Sequence, residues 1–338
     1  MNTRSYNFGN AVFHFFHVAG KQPMAVLWIA VWQALLTGGL VYLVWLTLGD
    51  FYIWMFQMAA SGAEPSESEM FSRMGGMMAM MPLISIGGIL IALMAQGAWL
   101  RLLTREEIAP VIPFRIGGDE LHLLVTNLGL IAIGIGAYFI FAFLMVIVGL
   151  GAAAAFSGGG NAEAGLAAGL LVGIGFLAFL VIAVFVGVRV SAAPALSVLE
   201  KRIAFPAWGT TKGVFWPVLG SYVLTGIIIF ILSSVIGLVV NFAFLGALWP
   251  MLGEFIELAQ AGNEPEPEEV LAIFSETLSS AGTITALVAT GLLSVLLRSF
   301  LDGIWHGVGA YTALSSQPQP QPQPQPEPQP QPTEAVRD

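Results

Sequence analysis

The 338-residue sequence contains no cysteine, and charged residues make up only 10% of the chain. Soluble domains carry about 25% charged residues, so this chain lacks the polar surface that would keep a globule in water. That deficit excludes a soluble enzyme of this length as well as a disordered protein. The absence of cysteine excludes a disulfide scaffold and a cysteine-based zinc finger, although it is compatible with any cellular compartment.

Recognisable catalytic signatures are also missing. The sequence has no Gly-x-x-x-x-Gly-Lys-Ser/Thr loop, no His-Glu-x-x-His and no Gly-x-Ser-x-Gly. We therefore predict neither an enzyme nor a bound cofactor or metal. Ion-coupled carriers generally place an ionisable residue or a broken helix at mid-membrane, and the sequence shows neither.

Long apolar runs are what the chain has in abundance, with 57% hydrophobic residues and a mean hydropathy of +0.81. About 20 apolar residues are needed to cross ~30 Å of hydrocarbon as a helix, because every backbone donor must be satisfied within the helix. Six stretches without Asp, Glu, Lys or Arg meet this requirement, which predicts an all-α polytopic membrane bundle of six transmembrane helices. The stretches are Met24–Leu48, Met77–Leu100, Leu123–Leu150, Gly165–Val188, Val214–Trp249 and Ser279–Leu297.

Basic residues are distributed unequally among the loops. When alternate loops are assigned to opposite sides, eleven Lys and Arg residues share the side of both termini, and only Arg73 lies on the other. Since positive charge marks the cytoplasmic side, we expect a bacterial inner-membrane protein with both termini in the cytoplasm. Twelve acidic residues fall outside, so the net charge of −9 describes an acidic outer face, which argues against nucleic-acid binding there.

Recurring segments predict three successive transmembrane hairpins. The outer loop at Ala59–Phe71 aligns with Ala259–Leu271, with Gly, Glu-Pro and Glu at matching positions. Each odd-numbered span also follows a short segment that we expect to form a helix lying on the cytoplasmic surface. These three segments are Phe8–Lys21, Phe114–Leu123 and Phe205–Phe215.

The C-terminal region differs in composition from the rest of the chain. From Gln317 to Pro332 glutamine and proline alternate, broken once by Glu327. Alternate prolines remove amide donors and fix φ, which favours an extended polyproline II conformation. We expect a six-helix domain over 1–314 and a disordered cytoplasmic tail over 315–338. The tail is interpreted as a solvated spacer, with a ligand for an aromatic groove as the alternative.

Two groups of charged residues are candidates for function. Arg298, Asp302 and His306 are spaced by four residues and so form one stripe at the end of the last span. We interpret the stripe as an interfacial salt bridge, with a functional intramembrane pair as the alternative. The second group lies in the loop after the fourth span and is interpreted as pairing that holds this loop to the membrane surface, with a binding site as the alternative. Its members are Arg189, Ser191, Glu200, Lys201 and Arg202.

Small and polar residues in the spans are expected to mediate helix packing. Gly165, Gly169 and Gly173 give the fourth span a smooth face, and such faces let helices approach closely. We expect this face to pack within the bundle, with a dimer interface as the alternative. Amides in or near the spans are expected to make interhelical hydrogen bonds. They are Gln33, Gln96, Asn127 and Asn241.

One further pattern lies between the fourth and fifth spans. It comprises Arg189-Val190-Ser191-Ala192-Ala193-Pro194, Glu200, Lys212-Gly213-Val214-Phe215-Trp216 and Leu219-Gly220. This pattern resembles the bacterial glycerophosphodiester phosphodiesterase membrane-domain family and related six-span membrane proteins. In that family the membrane domain can accompany a separate soluble catalytic barrel, which this chain lacks. The resemblance therefore implies the six-span fold and not the phosphodiesterase activity.

These features together predict a non-catalytic inner-membrane protein with a structural, lipid-associated or partner-binding role. The alternative is a transporter or channel subunit with a path between the three hairpins, and an enzyme acting on lipid is a third class. The expected partners are membrane lipids and a membrane or cytoplasmic protein, without nucleic acid.

Overall fold

The computed structural model describes residues 6–61, 66–107, 112–157, 162–260, 262 and 267–318. Helices account for nearly all of these residues, and the described part of the chain contains no extended strand. The prediction of an all-α fold is confirmed. In chain order the helices are α1 (Phe8–Val12), α2 (His14–Lys21), α3 (Pro23–Ser61), α4 (Glu67–Arg105), α5 (Gly118–Ser157), α6 (Ala162–Val190), α7 (Ala193–Leu199), α8 (Phe215–Ala247), α9 (Trp249–Gln260), α10 (Pro267–Ser279) and α11 (Ala281–Ser316).

Six of these helices, α3, α4, α5, α6, α8 and α11, are long and apolar enough to cross a membrane. They contain between 29 and 40 residues, more than the ~20 that the hydrocarbon layer requires. The additional length is accommodated by tilt or by helix ends that project beyond the hydrocarbon. The predicted polytopic bundle is confirmed, and the chain is a multi-pass membrane protein.

The spans pack in consecutive pairs, α3 with α4, α5 with α6 and α8 with α11, and each pair is an antiparallel hairpin. The starts of α3, α5 and α8 therefore meet the ends of α4, α6 and α11. We call this the basic end and define it as α1, α2 and α7 with residues 22–33, 93–107, 112–130, 186–192, 200–226 and 298–317. The opposite end, which we call the acidic end, comprises α9 and α10 with the described residues of 45–75, 140–170 and 240–248.

The buried core lies at the basic end. Trp99, Leu102 and Leu123 have no exposed surface, and α2 contributes Phe15 and Val18 to the same cluster. Away from this core the large apolar side chains of α5 and α6 face outward. Lipid tails solvate such side chains as well as a protein interior does, so burial is not needed to stabilise them.

The three predicted surface helices have different outcomes. The first is helical as α1 and α2, which pack against α8, α11 and α4. Within the second, the described residues 112–117 are not helical, and α5 begins only at Gly118. The third prediction is wrong because residues 201–214 form turns, and the short helix α7 lies earlier in the loop. Two residues prevent a helix in this third segment. Pro206 lacks an amide donor, and Gly213 has a positive φ of 82°.

The glycine face of α6 does not pack closely within the chain, contrary to expectation. A β-carbon at Gly169 or Gly173 would meet no atom within 4 Å, and Gly165 is partly exposed on the same helix. α6 packs on α5 through other side chains, since Phe141 and Phe179 stack with 4.2 Å between their centroids. Close approach through glycine occurs instead on α11.

Two glycines of α11 receive an aromatic side chain from α2. A β-carbon at Gly303 would collide with Phe15, and one at Gly307 would come within 3.2 Å of the same residue, so glycine lets α2 lie directly against α11. The end of α11 extends to Ser316, which places residues 315 and 316 in the helical domain. The predicted Gln-Pro tail lies outside the described residues after Pro318.

Candidate functional site

A cleft of about 570 Å³ opens between the α5–α6 hairpin and a wall formed by α4, α7, α8 and α11. Cavities of this volume accommodate small organic molecules or part of a lipid. Along α6 the lining runs from Phe179 to Val190, which corresponds to about 16 Å of helix at 1.5 Å per residue. The cleft therefore extends from the basic end toward the middle of the bundle.

The polarity of the lining changes along this length. The deep part consists of apolar side chains and glycine, including Ile133, Ala137 and Phe179. Side chains that can form hydrogen bonds are gathered toward the basic end, and none of the lining residues is Asp, Glu, Lys or Arg. They are Gln96, Ser191, Tyr222, Trp305 and His306.

Tyr222 is held at the polar part of the cleft by contacts from the end of α6 and from α11. Its side chain hydrogen-bonds with that of Ser191, which follows α6 directly. Its ring lies 5.2 Å, centroid to centroid, from that of Trp305. A β-carbon at Gly309 would come within 3.1 Å of the Tyr222 hydroxyl, so glycine makes room for it. These contacts fix the phenol hydroxyl at the cleft.

His306 contributes the second polar group. It lines the cleft from α11 and makes no hydrogen bond or ion pair with any residue that the structure describes. An imidazole can donate from one ring nitrogen and accept at the other. His306 therefore brings an unused donor and acceptor to the same region as the Tyr222 hydroxyl.

Gln96 links the cleft to the interhelical amide contacts predicted from the sequence. The Asn127 Nδ2 donates to Gln96 Oε1 at 2.7 Å, which joins α4 to α5 beside the cleft. Gln33 also bonds between helices, as expected. Asn241 differs, because its Nδ2 donates to the Gly237 carbonyl of its own helix at 2.7 Å.

The predicted stripe on α11 is divided between two environments. Arg298 and Asp302 form the expected ion pair, with Nε 3.5 Å from Oδ1. Asp302 also accepts a hydrogen bond from Gln33 Nε2 at 3.2 Å, which attaches the pair to α3. The Gln33 oxygen in turn accepts from Trp99 Nε1 at 3.4 Å. This network ties together α3, α4 and α11, whereas His306 belongs to the cleft.

The second predicted group is also divided. Ser191 lies at the cleft, whereas Arg202 and Glu200 form an ion pair with 2.6 Å between Nη2 and Oε2. Glu200 also accepts from Gln317 Nε2 at 2.9 Å, so this loop holds the end of α11. Lys201 is exposed, with a positive φ of 52°. Arg189 is separate from this pair and contacts Thr211.

Sequence analysis missed a buried group of ion pairs between α4 and α5. Arg101 pairs with Glu120, and both side chains are at most 4% exposed. Arg105 pairs with Asp119 one turn further on. The signal was present in the sequence, because two arginines spaced by four end one span and two adjacent acids begin the next. These pairs fasten the first hairpin to the second, and none of their four residues lines the cleft.

No family model, curated protein or solved structure matches the chain. The resemblance to the phosphodiesterase membrane-domain family therefore stays a prediction. Among the described residues, no group of three or more His, Cys, Asp or Glu side chains is placed to hold a metal ion. The cleft is the feature of the described structure with the clearest capacity to bind a ligand.

Proposed function

We propose that the protein binds a membrane lipid in the cleft, as a non-catalytic, lipid-associated component of a bacterial inner membrane. The observation that carries the proposal is the gradient of polarity along the lining, from Tyr222 and His306 at one end to Phe179 and Ala137 at the other. A phospholipid has the same gradient, since its headgroup and ester region are polar and its chains are apolar.

The expected orientation of the chain supports the same assignment. Lys and Arg are concentrated at the basic end, which by the positive-inside rule faces the cytoplasm. The polar part of the cleft then lies toward the headgroups of the inner leaflet, and the apolar part lies at the depth of the acyl chains. A lipid of the inner leaflet would enter the cleft without changing its orientation in the membrane.

The chemistry of the lining indicates which part of the lipid is recognised. Tyr222, Ser191 and His306 offer neutral donors and acceptors, which suit the ester and glycerol oxygens of a lipid. The lining contains no charged side chain to neutralise an ion. This composition favours lipid binding over the alternative of an ion-conducting path between the hairpins.

Filling the cleft tests the proposal. Ala183 lines the cleft from α6, and Ala183→Trp should occupy the space of an acyl chain. The probe is phosphatidylglycerol with a photoactivatable group on its acyl chain, added to the protein in nanodiscs. We expect wild type to be labelled preferentially on the segments that line the cleft, and labelling there to fall about fivefold or more in the variant, because a filled apolar site loses its ligand contacts.

Leu177→Trp is the matched control, since Leu177 is 62% exposed on α6 and does not line the cleft. It adds the same indole to the same helix and should leave labelling of the cleft unchanged. Helix content by circular dichroism and elution volume should be equal for both variants. Labelling spread evenly over all lipid-facing helices of wild type, or unaffected by Ala183→Trp, would contradict the proposal.

A further inference from the structure

Arg189 differs from the other arginines that the structure describes. Each of the others forms an ion pair with at least one carboxylate. Arg189 has no acidic partner among the described residues. The arginines that do have one are Arg73, Arg101, Arg105, Arg115, Arg202 and Arg298.

The surroundings of the Arg189 guanidinium are aromatic and only weakly polar. Its central carbon lies 5.2 Å from the centroid of the Phe185 ring and 5.6 Å from that of Phe215. Nη1 donates to the Thr211 hydroxyl at 3.4 Å, and Nε is buried without a hydrogen-bond partner. A cation desolvated in this way is costly unless an anion or further acceptors complete its contacts.

A fixed turn positions the contacts on the other side of the guanidinium. Thr211 is fully buried, and the turn around it includes Gly213, whose φ of 82° suits glycine. The neighbouring Lys212 is exposed and has no ion pair among the described residues. The turn therefore presents a second positive charge close in sequence to the residue that contacts Arg189.

The site lies at the end of α6, one of the six candidate spans. Arg189 is the penultimate residue of α6, and exposed aromatic side chains surround the same end of the bundle. Trp208 is 41% exposed and Trp216 is 75% exposed. Tryptophan is enriched at the level of lipid headgroups, which is also where lipid phosphates are found.

We propose that Arg189, with Thr211 beside it, binds a phosphate group, and that this phosphate belongs to the headgroup of an anionic phospholipid. Guanidinium groups bind phosphate oxygens through charge-assisted hydrogen bonds of good geometry. Because Nε is buried and Nη1 is held by the Thr211 hydroxyl, the phosphate is reached through the terminal nitrogens. Arg189 does not line the cleft, so this site is separate from the one proposed above.

Native mass spectrometry of the full chain in a non-ionic detergent tests this site with phosphatidylglycerol as the probe. With the cleft filled by Ala183→Trp, we expect Arg189→Gln to weaken the remaining lipid binding about tenfold, as for loss of charge-assisted hydrogen bonds. Arg202→Gln is the matched control. It also removes one arginine near the end of α6, but Arg202 is exposed and already paired with Glu200. It should change binding by less than about twofold.

Addition of inorganic phosphate distinguishes the two sources of the anion. Millimolar phosphate that leaves the lipid bound supports a phospholipid headgroup as the ligand. Phosphate that displaces the lipid from wild type, with the same dependence on Arg189, overturns the assignment to a lipid. In the cleft-filled protein, equal binding with and without Arg189→Gln, or an equal loss in Arg202→Gln, overturns the site itself.

Two further variants keep the test decisive. If Arg189→Gln does not fold, Thr211→Val takes its place, because it removes only the hydroxyl that contacts the guanidinium. Severalfold weaker binding of phosphatidylglycerol supports the site, and unchanged binding overturns it. The cleft-filling variant Ala183→Trp should retain the binding that depends on Arg189, so failure of the cleft proposal is recognised separately.

Discussion

Fully buried side chains are concentrated at one of the two ends of the bundle. At the basic end Trp99 and Val308 are fully buried, whereas at the acidic end Phe71 and Phe242 leave 75% and 71% of their surface exposed. Both ends are rich in apolar residues, so composition does not explain the difference. At the basic end, surface helices and loops cover the spans, which supplies neighbours that the lipid-facing helices do not need.

Polar contacts show the same contrast. At the acidic end Trp54 donates to Glu69 at 3.1 Å, a contact between residues 15 positions apart in one hairpin. At the basic end Gln33 and Asp302 are 269 positions apart, and Tyr6 donates to Ser221 over 215 positions. The comparison teaches that polar contacts at the basic end assemble the hairpins, whereas this contact at the acidic end joins neighbours within one hairpin.

The largest change in stability is expected at the basic end, when the buried ion pair of Arg101 and Glu120 is removed. Glu120→Gln leaves the guanidinium buried without its counter-charge and should lower the free energy of unfolding by about 3–5 kcal/mol. The measurement is unfolding in mixed micelles followed by tryptophan fluorescence. Glu69→Gln is the control at the acidic end, where the pair with Arg73 is about 40% exposed and is worth about 0–1 kcal/mol.

The double variant Arg101→Met with Glu120→Leu separates loss of the pair from loss of packing. Replacing both charges with apolar groups removes the unpaired charge, so most of the lost stability should return. Similar losses in Glu120→Gln and Glu69→Gln would show that the basic end has no special role in assembly.

The spans could be predicted from the sequence because length and apolarity are local properties of a segment. The interhelical bonds of Gln33, Gln96 and Asn127 were predictable for a related reason, since an amide in hydrocarbon needs a partner. Asn241 shows the limit of this reasoning, because a carbonyl of its own helix satisfies it. The predicted helix at Phe205–Phe215 is wrong because its Pro and Gly residues outweigh the apolar spacing.

The cleft could not be predicted from the sequence. Tyr222, Ser191 and His306 come from separate segments, and only the packing of α6, α8 and α11 brings them together. The Arg189 side chain was identified as a candidate, but its lack of an acidic partner becomes visible only in three dimensions. Similarly, the spacing of Gly169 and Gly173 does not reveal that α6 contacts α5 through stacked aromatic rings, with these two glycines facing away from any neighbour.

A smaller effect is expected from matched alanine substitutions of glycine in two helices. A β-carbon at Gly303 would collide with Phe15 and approach Trp99, so Gly303→Ala should destabilise the fold by about 1–3 kcal/mol. Gly169→Ala meets no atom within 4 Å and should be neutral or stabilising by up to about 1 kcal/mol, because alanine favours helix. Thermal unfolding in detergent compares the two. If the unfolding temperature shifted by the same amount and in the same direction in both variants, α2 would not depend on close contact with α11.

The smallest effect concerns pH and the surface helix α2. Burial lowers the pKa of the His14 imidazole below its ordinary value of 6.5, and its Nε2 donates to the Leu103 carbonyl at 2.9 Å. The charged groups that face it are His17 and Lys21 on its own helix and Glu106 after α4. Since the folded state disfavours the protonated form, the unfolded chain binds more protons as pH falls below about 6.5.

Stability from His14 is therefore present above pH 6.5 and is lost as the pH falls toward the lowered pKa of the folded state. We expect the free energy of unfolding of wild type to decrease between pH 7.5 and 5.5 by more than that of His14→Gln. The difference should be less than about 1 kcal/mol, because the site is only partly buried. Gln retains a donor for the Leu103 carbonyl and cannot titrate in this range. His17 is present in both proteins, so its contribution to the pH dependence cancels in the comparison. Equal pH dependence of wild type and His14→Gln would show that His14 stays accessible to water and that α2 is not firmly docked on the basic end.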